Sequence, residues 1–573
     1  MHTSTTTTTT TTTLTQITHL LSLLLLSSLS IKSFLGRWQI LRTKLSHLHN
    51  SLAAISSSPH FSHNQLLQSL LPTLLSTLNR LTSLSHQCLQ PTFAGGKLLM
   101  QSDLDICSSS LSDLLHHLDL LIKSGVLHQS TALVLSHPAP NSDADDLAFF
   151  VRDLFTRLQI GGPDFKKQAL QSLVHLLQND PKAAVIVAAE GDIAYLIQLL
   201  DFTNPNQQGV VRELAAAAIS KLCDAGGSPR KTVFEEGGLG PLLRLIETGS
   251  MVLRERAASA VDSITSDPEN AWAVSAYGGV SILIDACKSG HHSIQIPAVG
   301  AIRNISAAED VRIALSEEGA VPVLVDLISS GNYQIVCRAV DTIAVLSSSD
   351  PHLRDLVIRE NCLQRLIHMV VESSTPTSTL EHSLHAVLSL SSYDPVSRTL
   401  SSSTPFVIRL AELIKLGGTA SVQHSSASLI GSLPLSDSSR RAIGSCIAPL
   451  VKLMESPKPV GLQEAAAKAL VSLLAIRSNR RDLIEDEKSV TRLVKLLDPR
   501  NEAVTKEFPV MVACTVVAGG GHGCRKRLVD AGVYQHLQSL AGMDVAGAKK
   551  AVQKFAGAGS KIKSIFSRTW REY

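Results

Sequence analysis

The sequence predicts an all-α protein in which an N-terminal helical bundle is followed by a right-handed α-solenoid of repeated helical units. The chain has 573 residues, too many for one compact core, so it needs several domains or a repeat array. Apolar residues make up 44% and aromatic residues only 4%, so aliphatic side chains must fill the interior, which suits helices packed on helices. Apolar residues also recur at two periods, one of three to four residues and one of 40 to 46 residues.

The bundle is predicted over residues 14–160, where long stripes of apolar residues at helical spacing each need a packing partner. The first stripe runs from Ile31 to Ile55, the second from Leu67 to Cys88 and the third from Leu104 to Leu121. A further helix, over about residues 143–159, leads toward the repeats.

The N-terminus raises the question of targeting. Residues 3–13 are almost all Thr, and residues 1–13 are predicted to form a disordered tail. The apolar stretch from Leu20 to Leu29 is shorter than the roughly 20 residues of a membrane span, and no Lys or Arg precedes it as in a signal peptide. We interpret it as a buried amphipathic helix. Because no Asp or Glu precedes Asp103, targeting to an organelle by this Ser- and Thr-rich segment is the alternative.

Residues 161–545 contain about nine copies of a unit marked by apolar doublets, the first of which is Leu196-Ile197 with Leu199-Leu200. The doublets return, most weakly at the last position, at Leu242, Leu283, Leu324, Leu366, Leu410, Leu450, Leu493 and Leu537. Acidic residues mark the same units independently at Asp180, Asp224, Asp267, Asp310, Asp350, Asp394 and Asp437. Several of these Asp residues precede Pro, a combination that suits the start of a helix.

Each unit is predicted to hold three helices. The first begins at the Asp, the second carries the doublets, and the third is rich in Ala, as over residues 213–222 and 462–473. Glycines that suit a turn between the first two helices stand at Gly191, Gly237, Gly278, Gly319 and Gly532. Three helices in a unit of this length are typical of an armadillo-type α-solenoid, and the two-helix HEAT unit of the same period is the alternative.

These motifs resemble known families. The Gly-x-x-x-x-Leu-Val-x-Leu-Leu pattern with its Ala-rich third helix resembles armadillo repeats. Residues 95–105, with residues 119–121 and 124–127, are similar to the N-terminal helical domain of plant U-box/armadillo proteins. Together they resemble the plant armadillo-only proteins that share this domain, which implies a scaffold that binds other proteins.

One departure from the U-box relatives bears on activity. Those proteins carry a zinc-free RING-like domain between bundle and repeats, whereas the connection over residues 126–165 is too short for one. Direct ubiquitin ligase activity is therefore not expected. A role as an accessory or substrate-binding subunit beside a ligase stays open.

Candidate catalytic motifs lack the context that their chemistry needs. Gly95-Gly96-Lys97 has neither the spacing nor the Ser or Thr of a phosphate-binding loop, and the Gly-rich residues 519–523 lack a following Lys-Ser or Lys-Thr pair and a preceding strand. The pairs His116-His117 and His291-His292 have no metal-ligand spacing. We therefore predict a protein that is not an enzyme and that uses no cofactor or metal.

The third helices of armadillo arrays line a concave groove, and import receptors of this fold place Trp and Asn four residues apart on them. Only Asn304 fits that pattern here, so recognition of basic import signals is not expected. The groove is instead predicted to bind partner proteins through small, hydroxyl and mixed-charge residues. The predicted groove residues are Lys221, Ser263, Arg303, Asn304, Asp341, His385, Ser389, Ser432, Lys468 and Ser472.

Net charge and cysteine usage indicate which classes of partner and which cellular compartment to expect. A net charge of +3 gives no footprint of a nucleic-acid binder. Residues 546–573 are basic and are predicted to form a capping helix and tail; weak contact with an anionic membrane, as in a membrane-associated armadillo protein, is the alternative. None of the nine cysteines forms a CxxC pair, which favours the cytoplasm or nucleus.

Overall fold

The structure is a computed structural model that describes residues 2–58, 61–90, 96–124, 127, 143–201, 208–456, 461–519 and 521–556. Every regular element within these residues is an α-helix or a short 3-10 helix, which confirms the predicted all-α class. The chain divides into two compact units, Met1–Asn270 and Ala271–Tyr573, and each is described by itself.

The first unit begins with a bundle of four long helices. They are α1 (His2–Leu29), α2 (Leu35–Ser56), α3 (Gln65–Leu89) and α4 (Lys97–Lys123). Helix α1 packs against α2 and α3, and α4 packs against the same two helices, so the apolar stripes meet in one core that includes the fully buried Trp38. The Arg37 guanidinium also donates to both carboxylate oxygens of Asp105, at 2.8 and 3.0 Å, and thereby ties α2 to α4.

The Thr-rich N-terminus differs from the predicted disordered tail over residues 1–13, because α1 begins at His2. Threonine hydroxyls in this helix donate to carbonyls one turn earlier, as Thr15 does to Thr11 at 2.8 Å. Once Ile17 and Leu21 are buried in the core, extending the helix toward the N-terminus needs no new nucleation. A sequence of Thr residues alone gives no sign of this support.

The apolar part of α1 is longer than the ten residues from Leu20 to Leu29. Its segment Thr10–Leu29, of 20 residues, is long and apolar enough to cross a membrane. Its inner residues Ile17, Leu21 and Leu24 lie in the bundle core, while Leu26 and Leu29 are exposed. Among the described residues, the short helices Ala183–Glu190 and Ile193–Asp201 pass the same test only as a pair bent by 95°.

Helix α5 (Ala144–Ile160) belongs with the repeats and not with the bundle predicted over residues 14–160. It packs mainly against α6 (Pro163–Asn179) and α7 (Ala183–Glu190). The ring of Phe155 lies against Gly191, where there is no room for a Cβ atom. The apolar stripe of α5 predicted a buried face, but a stripe does not indicate which neighbour covers it.

After residue 180 the described helices fall into nine sets of three. The first helices are α7, α10 (Gly227–Glu235), α13 (Ala271–Ala276), α16 (Glu309–Glu317), α19 (Pro351–Arg359), α22 (Asp394–Ser402), α25 (Asp437–Ala442), α28 (Arg477–Glu485) and α31 (His522–Asp530). The second helices are α8 (Ile193–Gln198), α11 (Leu239–Thr248), α14 (Gly279–Lys288), α17 (Ala320–Leu327), α20 (Cys362–Val371), α23 (Thr404–Leu416), α26 (Ile447–Leu453), α29 (Glu487–Leu497) and α32 (Val533–Gly542). The third helices are α9 (Gln208–Asp224), α12 (Met251–Thr265), α15 (His292–Ile305), α18 (Tyr333–Ser349), α21 (Thr377–Leu390), α24 (Ala420–Ser432), α27 (Leu462–Leu473), α30 (Glu507–Gly519) and α33 (Ala548–Ala556). Three helices per unit agree with the armadillo pattern and exclude the two-helix alternative for these sets.

The turns between first and second helices follow the predicted glycines at most positions. Gly237, Gly278, Gly319 and Gly532 all have positive φ, between 64° and 90°, a conformation that a side chain disfavours. Gly191 ends α7 with a φ of −91° and instead makes room for Phe155.

The Asp residues were predicted to begin the first helix of each unit, but not all of them lie at a helix start. Asp350 fits the prediction fully, since its carboxylate accepts from the backbone N–H groups of His352 and Leu353 at 2.7 and 3.1 Å. The same residue is the C-cap of α18, so Asp350 alone separates α18 from α19. Asp224, by contrast, ends α9, and Asp310 lies inside the first turn of α16.

Candidate protein-binding face

The third helices present one side to solvent, which we call the third-helix face. Lys221 and Ser263 lie on α9 and α12 of the first unit, and the other eight predicted groove residues lie on third helices of the second unit. Arg303, His385, Ser432 and Lys468 are exposed, and the remaining predicted residues are half-buried. None of the predicted groove residues is buried in the core, so each of them keeps some solvent-exposed surface.

In the first unit the two predicted residues contact a shared carboxylate. The Ser263 hydroxyl donates to Asp224 Oδ1 at 3.0 Å, and Lys221 Nζ lies 3.8 Å from Asp224 Oδ2. The first contact joins α12 to α9, so these side chains already stabilise the stacking of neighbouring repeats.

Asp341 is likewise engaged between repeats. Its Oδ1 lies 2.7 Å from His382 Nδ1, and this contact joins α18 to α21. Sequence reasoning did not identify His382. Its signal is the spacing, because polar partners on successive third helices stand about one repeat apart.

A cleft of about 560 Å³ lies on the third-helix face between α21, α24 and α27, and we call it the hydroxyl cleft. It brings together Ser432 and Lys468, which the sequence predicted, with His424 and Ser428. The Lys468 ammonium lies 2.7 Å from Glu464 Oε1, so the cationic side chain in this cleft is partly neutralised. The lining residues are Leu388, Ser391, Ser392, His424, Ser428, Gly431, Ser432, Gly461, Glu464, Ala465 and Lys468.

Two glycines allow the helices around the hydroxyl cleft to approach each other. A Cβ atom on Gly431 would lie 3.0 Å from the backbone nitrogen of Ala469, so α24 and α27 pack with little between them. Gly461, just before α27, has a φ of 92° and would place a Cβ atom 3.2 Å from His424 Nε2. The floor of the cleft is therefore backbone and small side chains, which leaves room for a bound chain.

A second cleft, of about 690 Å³, lies between α30 and α33. Arg480, Lys550 and Lys554 line it together with Glu507, so we call it the basic cleft. The sequence predicted that residues 546–573 form a capping helix and tail, whereas α33 is the third helix of the last repeat and directs Lys550 and Lys554 into this cleft. The remaining tail cations, from Lys561 onward, lie outside the described residues.

The sequence motifs considered for catalysis have structural roles where they are described. Gly96 is the N-cap of α4, and Gly519 lies against the Arg480 guanidinium. The His116 and His117 rings lie 6.2 Å apart, and burial lowers the pKa of His117. Within the described ranges, no group of three or more His, Cys, Asp or Glu side chains is placed to hold a metal ion.

The cysteines are free thiols, and most of them are small apolar parts of the core. Seven are buried, while Cys514 and Cys524 are half-exposed. Burial raises the pKa of Cys287, Cys362 and Cys446 to about 12, and it also raises the pKa of Cys223.

One buried ammonium lies where α6 meets α5 and α8. Lys166 Nζ donates to the Leu158 carbonyl and lies 2.6 Å from the Tyr195 hydroxyl, which itself donates to the Leu158 carbonyl at 3.0 Å. Burial lowers the pKa of Lys166 to about 8. This group lies on none of the third helices.

Comparison with known proteins agrees with this architecture. Residues 15–126 match a domain of unknown function (DUF7032), and this range covers most of the four-helix bundle. Residues 267–307 and 309–348 match the armadillo/beta-catenin-like repeat. No curated protein matches the chain. The chain thus carries armadillo repeats and an N-terminal DUF7032 domain.

Several solved structures similar to this chain are engineered proteins. One, from the Northeast Structural Genomics Consortium, has 22% sequence identity and a TM-score of 0.62, and covers 71% of this chain and 98% of its own. A designed armadillo repeat protein, and another in complex with the peptide (KR)4, each have 21% identity and a TM-score of 0.38, covering 42% of this chain and 98% of their own. The first of these likenesses concerns the fold, which is an armadillo-type solenoid.

Proposed function

We propose that this chain is a non-enzymatic scaffold or adaptor that binds partner proteins through the third-helix face of its armadillo repeats. The observation that supports this most is the hydroxyl cleft, where Ser428, Ser432 and His424 surround a recess floored by small residues. Hydroxyl and imidazole groups both donate and accept, so they can bond to the backbone of an extended peptide.

The cleft is built by helix packing and does not need to form on binding. A preformed surface avoids much of the ordering cost that weakens association. Because Lys468 is paired with Glu464, the cleft offers little net charge, and recognition here depends on shape and hydrogen bonds.

The proposal can be tested by filling the hydroxyl cleft with large side chains. We expect Ser428→Arg with Ser432→Arg to remove most of the co-purifying partners, as measured by quantitative mass spectrometry of the tagged full-length protein. The matched control is Thr399→Arg with Ser438→Arg, which adds the same charge to exposed positions on the first helices α22 and α25. Equal loss in both variants, or no loss in either, would contradict binding through this face.

We also propose that the chain has no ubiquitin ligase activity of its own and that it acts in the cytoplasm or nucleus. Seven buried free thiols are compatible with a reducing compartment. The purified protein should not support ubiquitin chain formation with an activating enzyme and a panel of conjugating enzymes. Chain formation that depends on this protein would refute the first part, and import of a fluorescent fusion into an organelle would refute the second.

A further inference from the structure

We infer that the basic cleft binds an acidic, extended peptide segment of a partner protein. This inference rests on the proposed function, because it assigns a ligand chemistry to one part of the same third-helix face. It is carried by three cations that converge on one recess together with an apolar floor.

The first cation, Arg480, is held in place before any ligand arrives. Its Nη1 donates to the carbonyls of Leu474 and Ala475, at 2.6 and 2.8 Å, just beyond the end of α27. Gly519 gives it room, because a Cβ atom at that position would lie 2.5 Å from Arg480 Cζ. The guanidinium of a first-helix residue thus reaches the third-helix face in a fixed orientation, which suits recognition of a carboxylate.

The other two cations are Lys550 and Lys554, which stand one turn apart on α33 and both line the cleft. Within the part of the chain that the structure describes, neither they nor Arg480 form an ion pair. The neighbouring Lys549 differs, since it pairs with Asp544 at 2.5 Å. Glu507 is the one carboxylate among the lining residues, so the recess carries a net positive charge.

The floor of the basic cleft sets the form of the ligand. Val510, Met511 and Ala518 line it, and no aromatic side chain does, so the cleft has no platform on which bases could stack. Side chains of an extended peptide alternate between two sides. A segment that alternates acidic and apolar residues would place carboxylates on the cations and apolar groups on the floor.

The tail that follows α33 does not suit this cleft. The residues after α33 include Lys561, Lys563, Arg568 and Arg571 with Glu572 as the acidic residue, so this segment is basic and would be repelled by the cleft. We therefore assign the acidic segment to a partner protein.

The test uses the full-length protein and a fluorescein-labelled peptide of alternating Glu and Leu, with an alternating Lys and Leu peptide of equal length as the probe control. Fluorescence anisotropy should show binding of the acidic probe alone. Lys550→Glu with Lys554→Glu should weaken that binding about tenfold or more, since contacts at the centre of a site dominate its affinity. The matched control, Lys488→Glu with Lys526→Glu, reverses two exposed charges of the same repeats outside the cleft and should change binding less than about twofold.

A second readout locates the probe. Cys514 lines the basic cleft and Cys524 does not, and both thiols are half-exposed. A bound acidic peptide should slow alkylation of Cys514 and leave that of Cys524 unchanged.

The outcomes separate this inference from the proposed function. No protection of Cys514, equal weakening by both double variants, or binding of vesicles of phosphatidylcholine and phosphatidylserine in preference to the peptide would overturn the acidic-peptide inference. The proposed function would stand in these cases if filling the hydroxyl cleft still removed the partners.

Discussion

At the residue scale, Lys166 carries a buried ammonium that has no carboxylate partner among the residues that the structure describes. Its folded pKa of about 8 lies below the ordinary value of 10.5, so between these pH values the unfolded chain binds more protons. Its contribution is therefore unfavourable below about pH 8, and stability recovers as the pH rises toward 10.5. Its two hydrogen-bond partners are already bonded to each other, because Tyr195 donates to the Leu158 carbonyl.

We expect Lys166→Met to raise the free energy of unfolding by about 1–3 kcal/mol at pH 7, because it removes a buried charge and leaves no unsatisfied partner. Urea unfolding at several pH values would measure this gain, which should shrink toward pH 10. Lys182→Met, at an exposed lysine, should give no gain at any pH. A destabilised Lys166→Met protein would show that the ammonium supports the fold.

The thiols give a second prediction at this scale. The seven buried cysteines are shielded from solvent, so Ellman's reagent should modify Cys514 and Cys524 rapidly and the buried cysteines only on unfolding. Replacing Cys514 and Cys524 by Ser should abolish the rapid phase. Rapid modification that persists in that variant would place a buried cysteine at the surface.

At the element scale, the second helices test the repeat register. Leu327 belongs to an apolar doublet and is buried at the end of α17. Leu327→Ala should lower the free energy of unfolding by about 2–5 kcal/mol as a core truncation. Ile313→Ala, at an exposed aliphatic residue of α16, is the control and should change it little. A change below about 0.5 kcal/mol for Leu327→Ala would contradict the register.

The third helices give a prediction about binding. His385 is exposed on α21 and Asn304 is half-buried on α15. We expect Asn304→Ala with His385→Ala to weaken the main partner, at about 1 kcal/mol or more for each contact, without lowering the melting temperature. Calorimetry with an identified partner would measure this, and an unchanged affinity would exclude these two positions from the interface.

How far the sequence predicted these elements depended on the range of the interactions involved. The doublets identified the second helices because an amphipathic stripe is a local pattern, and Leu242 and Leu324 are indeed fully buried. The alignment of third helices also led to Ser432 and Lys468, which share the hydroxyl cleft.

Features that depend on packing between distant segments were missed. The partner of Asp341 is a residue of the next repeat. The Thr-rich start of α1 extends a helix whose later residues are buried in the bundle. Arg480 belongs to a first helix, yet its long side chain reaches the third-helix face because Gly519 has no side chain to block it. A periodic pattern does not contain that information.

At the scale of the whole molecule, repeats contact their neighbours along the chain. A destabilising substitution in one repeat is therefore expected to affect only nearby repeats. In the second unit, α18 packs on α15 and α21, and α27 packs on α24 and α30. Hydrogen exchange of Leu327→Ala should therefore accelerate in α16 to α21 and stay unchanged in α30 to α33. Uniform acceleration over all of these helices would indicate one cooperative block.

The one-residue connection at Asp350 has a consequence for where such a chain can accept insertions. One residue ends α18 and begins α19, so a single inserted residue there would turn the following helix by about 100° relative to the preceding one. The connection between α29 and α30, which runs from Leu497 to Glu507 through several non-helical residues, can absorb an insertion without such a rotation. Extra residues should therefore be tolerated between second and third helices and rejected between one repeat and the next.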